Sequence, residues 1–166
     1  MNEYLNTSPQ SSALAPAPLV VCSTRGGQGS RAAQIAAIDL ARRENARLVF
    51  LYVVDETLFS DVDAVMQSAL KEELLWIGQS LLQLARNRGR ALGVSAETVI
   101  LEGNFTQQLI AFLRETKPIS MVLGAPRGTT LNIFGDDQIE KFAIEIEGET
   151  GVDVLLVRPE EEEDNN

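Results

Sequence analysis

The hydrophobic positions of this chain alternate between short continuous runs and longer stretches with helical spacing. Five short runs are typical of β-strands, and they cover residues 19–23, 47–54, 96–101, 119–123 and 152–157. Their apolar residues are nearly consecutive, which indicates strands that are covered on both faces of a sheet. The stretches between them carry apolar residues three or four positions apart, as amphipathic helices do.

Strands and helices therefore alternate along the whole chain. Strict alternation predicts an α/β protein with parallel strands and helices on both faces of the sheet. Asn104, followed three residues later by Gln107, has the pattern of a helix N-terminus. In such a sheet ligands bind beyond the carboxyl ends of the strands, so we expect function in the loops after Ser23, Val54 and Gly124.

The longest predicted helix covers residues 60–91, with Ser60 as its N-terminal cap. We predict that Trp76, next to the apolar face of this helix, anchors the core. The last helix is predicted to bury Ile139, Phe142, Ala143 and Ile146, and the first helix to bury Ile35, Ile38 and Ala41. The face of the longest helix consists of Leu70, Leu74, Ile77, Leu81 and Leu84.

Length and charge limit the classes of protein to consider. The 166 residues are enough for one domain, which we place at residues 18–158, between a flexible leader (1–17) and an acidic tail (159–166). The net charge of -10 disfavours nucleic acid as a partner. No signal peptide and no apolar run long enough for a bilayer are visible, so we expect a cytoplasmic protein without membrane contact.

The chain contains one cysteine, Cys22, and no histidine. Cys22 lies in an apolar run and is interpreted as a small core residue, with a reactive thiol as the alternative. Without histidine there is no catalytic triad of the usual kind and no Cys/His zinc site. We therefore expect neither catalytic residues nor a metal.

The first glycine-rich loop, residues 25–31, lies between a strand and a helix and includes Gly26, Gly27 and Gly29. It invites comparison with the phosphate loop KGGxGK followed by Ser or Thr, but Ser30 and Arg31 stand at the lysine and hydroxyl positions. Two other interpretations remain open. One is a turn that leads into a helix, and the other is a nest of glycine N–H groups that binds an anion.

A second candidate loop follows the fourth predicted strand. Its two interpretations are a phosphate-binding loop and an ordinary strand-to-helix connection. The residues that could bind phosphate are Gly124, Arg127, Gly128, Thr129, Thr130 and Gly135.

Several sequence blocks, in their order along the chain, resemble the universal stress protein family. Residues 51–55, LYVVD, are similar to the family's LHVxD, and residues 121–124, MVLG, to its IVMG. Glu102 and Gly103 with the following Leu109 and Ile110 resemble its ExGxxxxxI block, and residues 152–158, VDVLLVR, its closing PVLVVR. The resemblance implies a five-stranded parallel sheet in the order 3-2-1-4-5, similar to the adenine nucleotide alpha hydrolase architecture.

The resemblance also implies a homodimer, which we expect to form through the strand from Val152 to Val157 at the sheet edge. In the ATP-binding branch of the family an aspartate follows the first strand, and Thr24 occupies that position here. Val53 matches the apolar residue that would face an adenine. The family's loop, GxxGxxxxxxxxxG followed by Ser or Thr, is altered here in its spacing, and Asp136 replaces the hydroxyl residue.

These departures predict weak or absent ATP binding, since a carboxylate repels phosphate. We therefore expect a non-enzymatic, dimeric, stress-associated regulatory module with a degenerate nucleotide site and no required cofactor. The alternatives are a nucleotide-binding module with altered loops, including a slow ATPase, and an enzyme of another α/β class. The sequence does not identify a protein partner.

Overall fold

The computed structural model describes residues 16–125 and 137–160. Strands and helices alternate through them, and a short 3₁₀ helix, Glu56–Phe59, precedes the longest α-helix. The elements are β1 (Leu19–Ser23), α1 (Gly27–Arg43), β2 (Arg47–Asp55), α2 (Ala64–Ala91), β3 (Ala96–Gly103), α3 (Phe105–Thr116), β4 (Ser120–Gly124), α4 (Asp137–Thr150) and β5 (Asp153–Val157).

The five strands form one parallel sheet in the order β3-β2-β1-β4-β5, which confirms the predicted fold. β1 is the central strand, and Val21 is paired with Val49 of β2 on one side and Met121 of β4 on the other. The chain leaves β1 toward one edge of the sheet and later returns to its other side. The switch in strand order therefore lies at the carboxyl end of β1, where such folds bind ligands.

Helices cover both faces of the sheet. On one face Cys22 and Phe50 pack with Ile38 of α1 and Leu82 of α2. On the other face, the side chains of β1, β2 and β4 pack against α3 and α4; this second cluster includes Val21, Leu51, Leu109 and Ile146. Every residue of β1 is buried, so apolar side chains are required on both sides of this strand.

The prediction of two-sided burial is wrong for the edge strands. In β3 the side chains of Glu97 and Glu102 are exposed, and in β5 those of Asp153 and Leu155 are exposed. An edge strand has a neighbour on one side only, and the helices cover it incompletely. Apolar runs in the sequence do not distinguish this position from the centre of the sheet.

The start of α2 differs from the prediction. Its N-cap is Asp63, whose carboxylate accepts hydrogen bonds from the backbone N–H groups of Val65 and Met66 at 3.1 and 3.0 Å. Ser60 instead ends the 3₁₀ helix, and its hydroxyl donates to the carbonyl of Thr57 at 3.3 Å. The 3₁₀ helix, Glu56–Phe59, was not predicted from the sequence.

The buried face of α2 also differs from the prediction. Trp76 is 66% exposed, so it does not anchor the core, and Ile77 and Leu84 of the predicted stripe are also exposed. The small residue Gly78 faces the sheet, where an added Cβ would lie 3.0 Å from Cγ of Tyr52 and closer still to other ring atoms. Helix α2 approaches β2 through its small side chains, together with Leu82, and this turns the large ones outward. The buried residues of α2 are Gly78, Leu82, Ala85 and Gly89.

The first helix shows the same preference for small residues. Ile35 was predicted to be buried, but it is 40% exposed, whereas Ala33, Ala37 and Ile38 are fully buried. Alanine at the interface lets α1 lie close to the sheet, so the bulkier Ile35 remains at its margin. Within residues 16–125 and 137–160, no helix has the length and apolar character to cross a membrane.

Replacement of Asp63 by alanine tests the observed start of α2. We expect Asp63→Ala to lower the free energy of unfolding by about 1 kcal/mol, because two backbone donors lose their acceptor. The matched control is Ser60→Ala, which we expect to change stability by less than about 0.5 kcal/mol. Urea denaturation followed by circular dichroism measures both, and a larger loss for Ser60→Ala would contradict this assignment of the cap.

Candidate functional site

A cavity of about 760 Å³ opens at the carboxyl ends of the central strands. It lies between the loop after β1, the end of β2, the 3₁₀ helix and the first turns of α3 and α4. Its described lining consists of Arg25, Tyr52, Val53, Asp55, Leu58, Leu74, Phe105, Thr106, Gln138, Ile139, Lys141, Phe142 and Glu145.

One part of this lining is apolar and aromatic. Val53, one of the predicted site residues, lies beside the rings of Phe105 and Phe142, whose centroids are 5.5 Å apart. Phe105 is the first residue of α3 and Phe142 lies in the middle of α4. A flat apolar group such as a nucleobase could pack against these surfaces.

Arg25 brings a positive charge to the same cavity. Its guanidinium carbon lies 4.6 Å from the centroid of the Phe105 ring, within the range of a cation–π contact. Its backbone N–H donates to the hydroxyl of Ser30 at 3.1 Å, which ties the loop to α1. The side chain keeps access to solvent, but the protein atoms around the guanidinium lower the pKa of Arg25. An arginine remains charged near neutral pH despite such a shift.

Counted together with Arg25, the charged groups of the lining balance one another. Lys141 adds a second cation, and Asp55 and Glu145 add two carboxylates, so the described lining has no net charge. The Asp55 carboxylate is already engaged, because it accepts the backbone N–H of Thr57 at 3.0 Å as the cap of the 3₁₀ helix. No group of three or more Cys, Asp or Glu side chains in the described part of the chain is arranged to hold a metal ion.

The 3₁₀ helix is held beside the cavity by ion pairs. Lys71 of α2 lies 2.8 Å from a carboxylate oxygen of Glu56 and 2.6 Å from one of Glu102. Hydrogen bonds to these two carboxylates raise the pKa of Lys71. The bridge connects the 3₁₀ helix to both α2 and β3, and so positions Leu58 at the cavity wall.

Thr24 lies outside this lining. It is fully buried, and its hydroxyl oxygen accepts a hydrogen bond from the Gln34 side-chain amide at 3.2 Å. The side-chain oxygen of Gln34 in turn accepts from Arg88 near the end of α2. The Thr24 backbone N–H donates to Leu51 at 2.8 Å. Thr24 therefore connects β1 to α1 and presents no free group to a ligand.

The two predicted glycine loops meet at one point. A Cβ added to Gly29 would lie 2.8 Å from the carbonyl oxygen of Ala125, and one added to Gly124 would collide with the backbone of Gly29 and Ser30. Gly26 and Gly27 have φ values of 92° and 86°, which favour glycine because side chains are strained there. Close backbone packing and turn geometry account for these four glycines, and none of them lines the cavity.

The rest of the second predicted loop, with Arg127, Gly128, Thr129, Thr130, Gly135 and Asp136, lies outside the described residues. Sequence reasoning missed Arg25, Tyr52, Phe105 and Phe142 as cavity residues. Arg25 had a usable signal, since it follows a strand at the predicted ligand-binding edge. The two phenylalanines had none, because an aromatic residue on a helix face is also typical of an ordinary core.

Cys22 is confirmed as a core residue. Its side chain is fully buried in the first core cluster, and burial raises the pKa of the thiol to about 12. The thiol therefore stays protonated and shielded at neutral pH, which disfavours the alternative of a reactive thiol.

The fold defines a class of protein, the doubly wound α/β domains, and the cavity lies at the carboxyl edge of the sheet, where members of this class bind their ligands. Within that class, a sequence profile of the universal stress protein family matches residues 18–158, and the chain belongs to this family. A universal stress protein of Methanocaldococcus jannaschii is 29% identical over 117 residues. The match covers 68% of this chain and 66% of that relative, slightly less than two thirds of its length.

Solved structures of the family share the fold. A protein of the family from Burkholderia pseudomallei has 23% identity and a TM-score of 0.59, over 86% of this chain and 96% of its own. UspA from Lactobacillus plantarum has 16% identity and a TM-score of 0.67, over 87% of this chain and 99% of its own. Likeness at this level of identity shows the fold alone.

Three further solved proteins of the family are described with a nucleotide. A universal stress protein in complex with cAMP has 19% identity and a TM-score of 0.59, over 87% of this chain and 98% of its own. An Arabidopsis thaliana protein with AMP has 14% identity and a TM-score of 0.61, over 86% and 92%. An Archaeoglobus fulgidus protein in complex with dAMP has 14% identity and a TM-score of 0.53, over 85% and 97%.

Substitution of Gly29 tests whether this glycine serves packing. We expect Gly29→Ala to destabilise the protein by about 1–3 kcal/mol, because the new methyl group would press on the Ala125 carbonyl. The control is Gly148→Ala in α4, where an added Cβ meets no atom within 4 Å. Gly148→Ala should stabilise by about 0.5–1 kcal/mol through helix propensity. Thermal unfolding compares the two, and an unchanged stability of Gly29→Ala would contradict the packing role.

Proposed function

We propose that this universal stress protein is a non-enzymatic regulatory module whose cavity takes an adenine nucleotide with a single phosphate and binds ATP weakly. The observation that carries the proposal is the composition of the cavity. An apolar wall around Val53 offers a surface for a base, and Arg25 stands beside it as a cation. No predicted phosphate-binding glycine lines this space among the described residues.

Charge favours a ligand with one phosphate. The two cations of the described lining, Arg25 and Lys141, are matched by two carboxylates. A triphosphate carries several more negative charges than a monophosphate, and each must replace its water with donors or cations. The described lining can compensate the charge of a monophosphate better than that of a triphosphate.

The solved relatives support the same ligand class. The nucleotides named for them are cAMP, AMP and dAMP, each with an adenine and a single phosphate. We assign the same ligand class to this chain because it shares the fold of these proteins and because Val53 lies in the cavity wall.

Two features favour regulation over catalysis. The chain has no histidine, the most common general base in enzymes. The Asp55 carboxylate at the cavity, which could otherwise accept a proton, is engaged as a helix cap. A module of this kind would change its state or its contacts when the nucleotide binds, without converting it.

The proposed ligand preference predicts the order of two affinities. We expect AMP to bind at least about tenfold more tightly than ATP in the absence of magnesium, a difference of about 1.4 kcal/mol. Isothermal titration calorimetry measures both, with adenosine as the uncharged control. Tighter binding of ATP than of AMP would contradict the proposal and support the alternative of an ATP-binding module with altered loops. Release of ADP or phosphate from ATP would contradict the non-enzymatic role.

We also propose that two copies pair through β5. This strand lies at the sheet edge, and Leu155 is 42% exposed. Val157 accepts a hydrogen bond from Ala125 after β4, so by alternation Val154 directs its N–H away from β4. That outward N–H donates to the Glu147 side chain at 3.0 Å. A second strand at this edge must therefore displace Glu147 from Val154.

This pairing predicts a mass of about twice 18.1 kDa in light scattering on a size-exclusion column. Val154→Pro should give a monomer, because it removes an outward donor and leaves the bonds to β4 intact. Glu147→Ala should strengthen the dimer by freeing the same donor. A wild-type monomer at micromolar concentration would contradict pairing through β5, as would a dimer unchanged by Val154→Pro. Circular dichroism checks that each variant is folded.

A further inference from the structure

The inference concerns the residue that recognises the ligand's charge, and it rests on the proposed function. We infer that the guanidinium of Arg25 binds the phosphate group of the nucleotide and so makes the cavity prefer a nucleotide over a nucleoside. The loop residues predicted from the sequence are not required for this contact.

Arg25 projects from a backbone that is held on both sides. The preceding residue, Thr24, is fixed by hydrogen bonds to Leu51 and Gln34, and the N–H of Arg25 itself donates to Ser30. The contact of the guanidinium with the Phe105 ring restricts the far end of the side chain as well. A side chain ordered before binding loses less conformational entropy when it takes up a ligand.

The guanidinium of Arg25 has no hydrogen-bond or ion-pair partner among the described residues. Three other cations are paired, since Lys71 has two carboxylates, Arg47 contacts Glu97 and Arg114 contacts Glu149. A guanidinium carries five N–H donors, and the contact with the Phe105 ring supplies no oxygen acceptor for them. Arg25 therefore presents unused donors at the cavity.

The chemistry of these donors favours a phosphate. A guanidinium matches the oxygens of a phosphate or carboxylate with two parallel hydrogen bonds, and such charge-assisted bonds are stronger than neutral ones. The adjacent Val53 and Phe105 accommodate the apolar face of a base. Lys141 of α4 is the other cation of the lining. Its ammonium acts as a point charge and does not present the two parallel donors of a guanidinium.

The experiment compares AMP with adenosine, since they differ only in the phosphate. Calorimetry with wild-type protein should show tighter binding of AMP. In Arg25→Gln the affinity for AMP should fall by about tenfold to a hundredfold, the loss expected when a hydrogen bond to a charged group is removed. The affinity for adenosine should stay within about twofold. Arg25→Lys should give an intermediate loss for AMP, because one ammonium cannot form the paired contact.

Two other variants serve as controls. Arg31→Gln removes an equal charge from an exposed position of α1 outside the lining, and it should leave both affinities unchanged. Lys141→Gln removes the competing cation and should weaken AMP less than Arg25→Gln does. Thermal unfolding establishes that each variant is folded, and Arg25→Lys supplies the test if Arg25→Gln does not fold.

The outcomes separate this inference from the proposed function. Wild-type protein that binds neither AMP nor adenosine would overturn the ligand assignment of the cavity, and this inference with it. Normal AMP affinity in Arg25→Gln would overturn the role of Arg25 alone. Equal losses of AMP and adenosine in that variant would also overturn it, because Arg25 would then support the cavity wall by stacking. A larger loss of AMP affinity in Lys141→Gln than in Arg25→Gln would show that Lys141 binds the phosphate instead.

Discussion

Burial of β1 on both faces is the constraint on which the rest of the structure depends. All five residues of this strand are buried, and it pairs with β2 and β4 over most of its length. Each face is therefore covered by helices, and because these helices connect successive strands, β2 and β4 run parallel to β1. The loop after β1 is then pressed against the end of β4, where Gly29 and Gly124 let two backbones approach closely.

The same strand determines which loop residue faces the cavity. Side chains of a strand point to alternate faces, with Cys22 toward α1 and α2 and Val21 toward α3 and α4. The alternation continues beyond the strand, so Thr24 contacts Gln34 of α1 and Arg25 lies over Phe105 of α3. Thr24, at the position where part of the family has an aspartate, is therefore buried in the core, and the next residue, Arg25, carries the charge.

The cavity combines a fixed wall with few charges. β2 supplies Val53 within the sheet, and the ion pairs of Lys71 hold the 3₁₀ helix at its side. Arg25 is positioned by its own loop, whose backbone N–H groups bond to Leu51 and Ser30. Helices α3 and α4 contribute the two rings in contact at this wall, Phe105 and Phe142.

The sequence by itself determined the alternation of strands and helices, the parallel sheet, the place of Val53 near the carboxyl end of β2 and the Asn104 cap, whose side chain accepts the N–H of Gln107 at 3.0 Å. These features follow from local patterns of apolar spacing and capping, and from family motifs. Only the tertiary structure decided that Trp76 is exposed, that Thr24 is buried and that Arg25 stacks on Phe105. Each of these depends on how the helices and strands pack against one another. That packing is set by contacts between residues that are far apart in the chain.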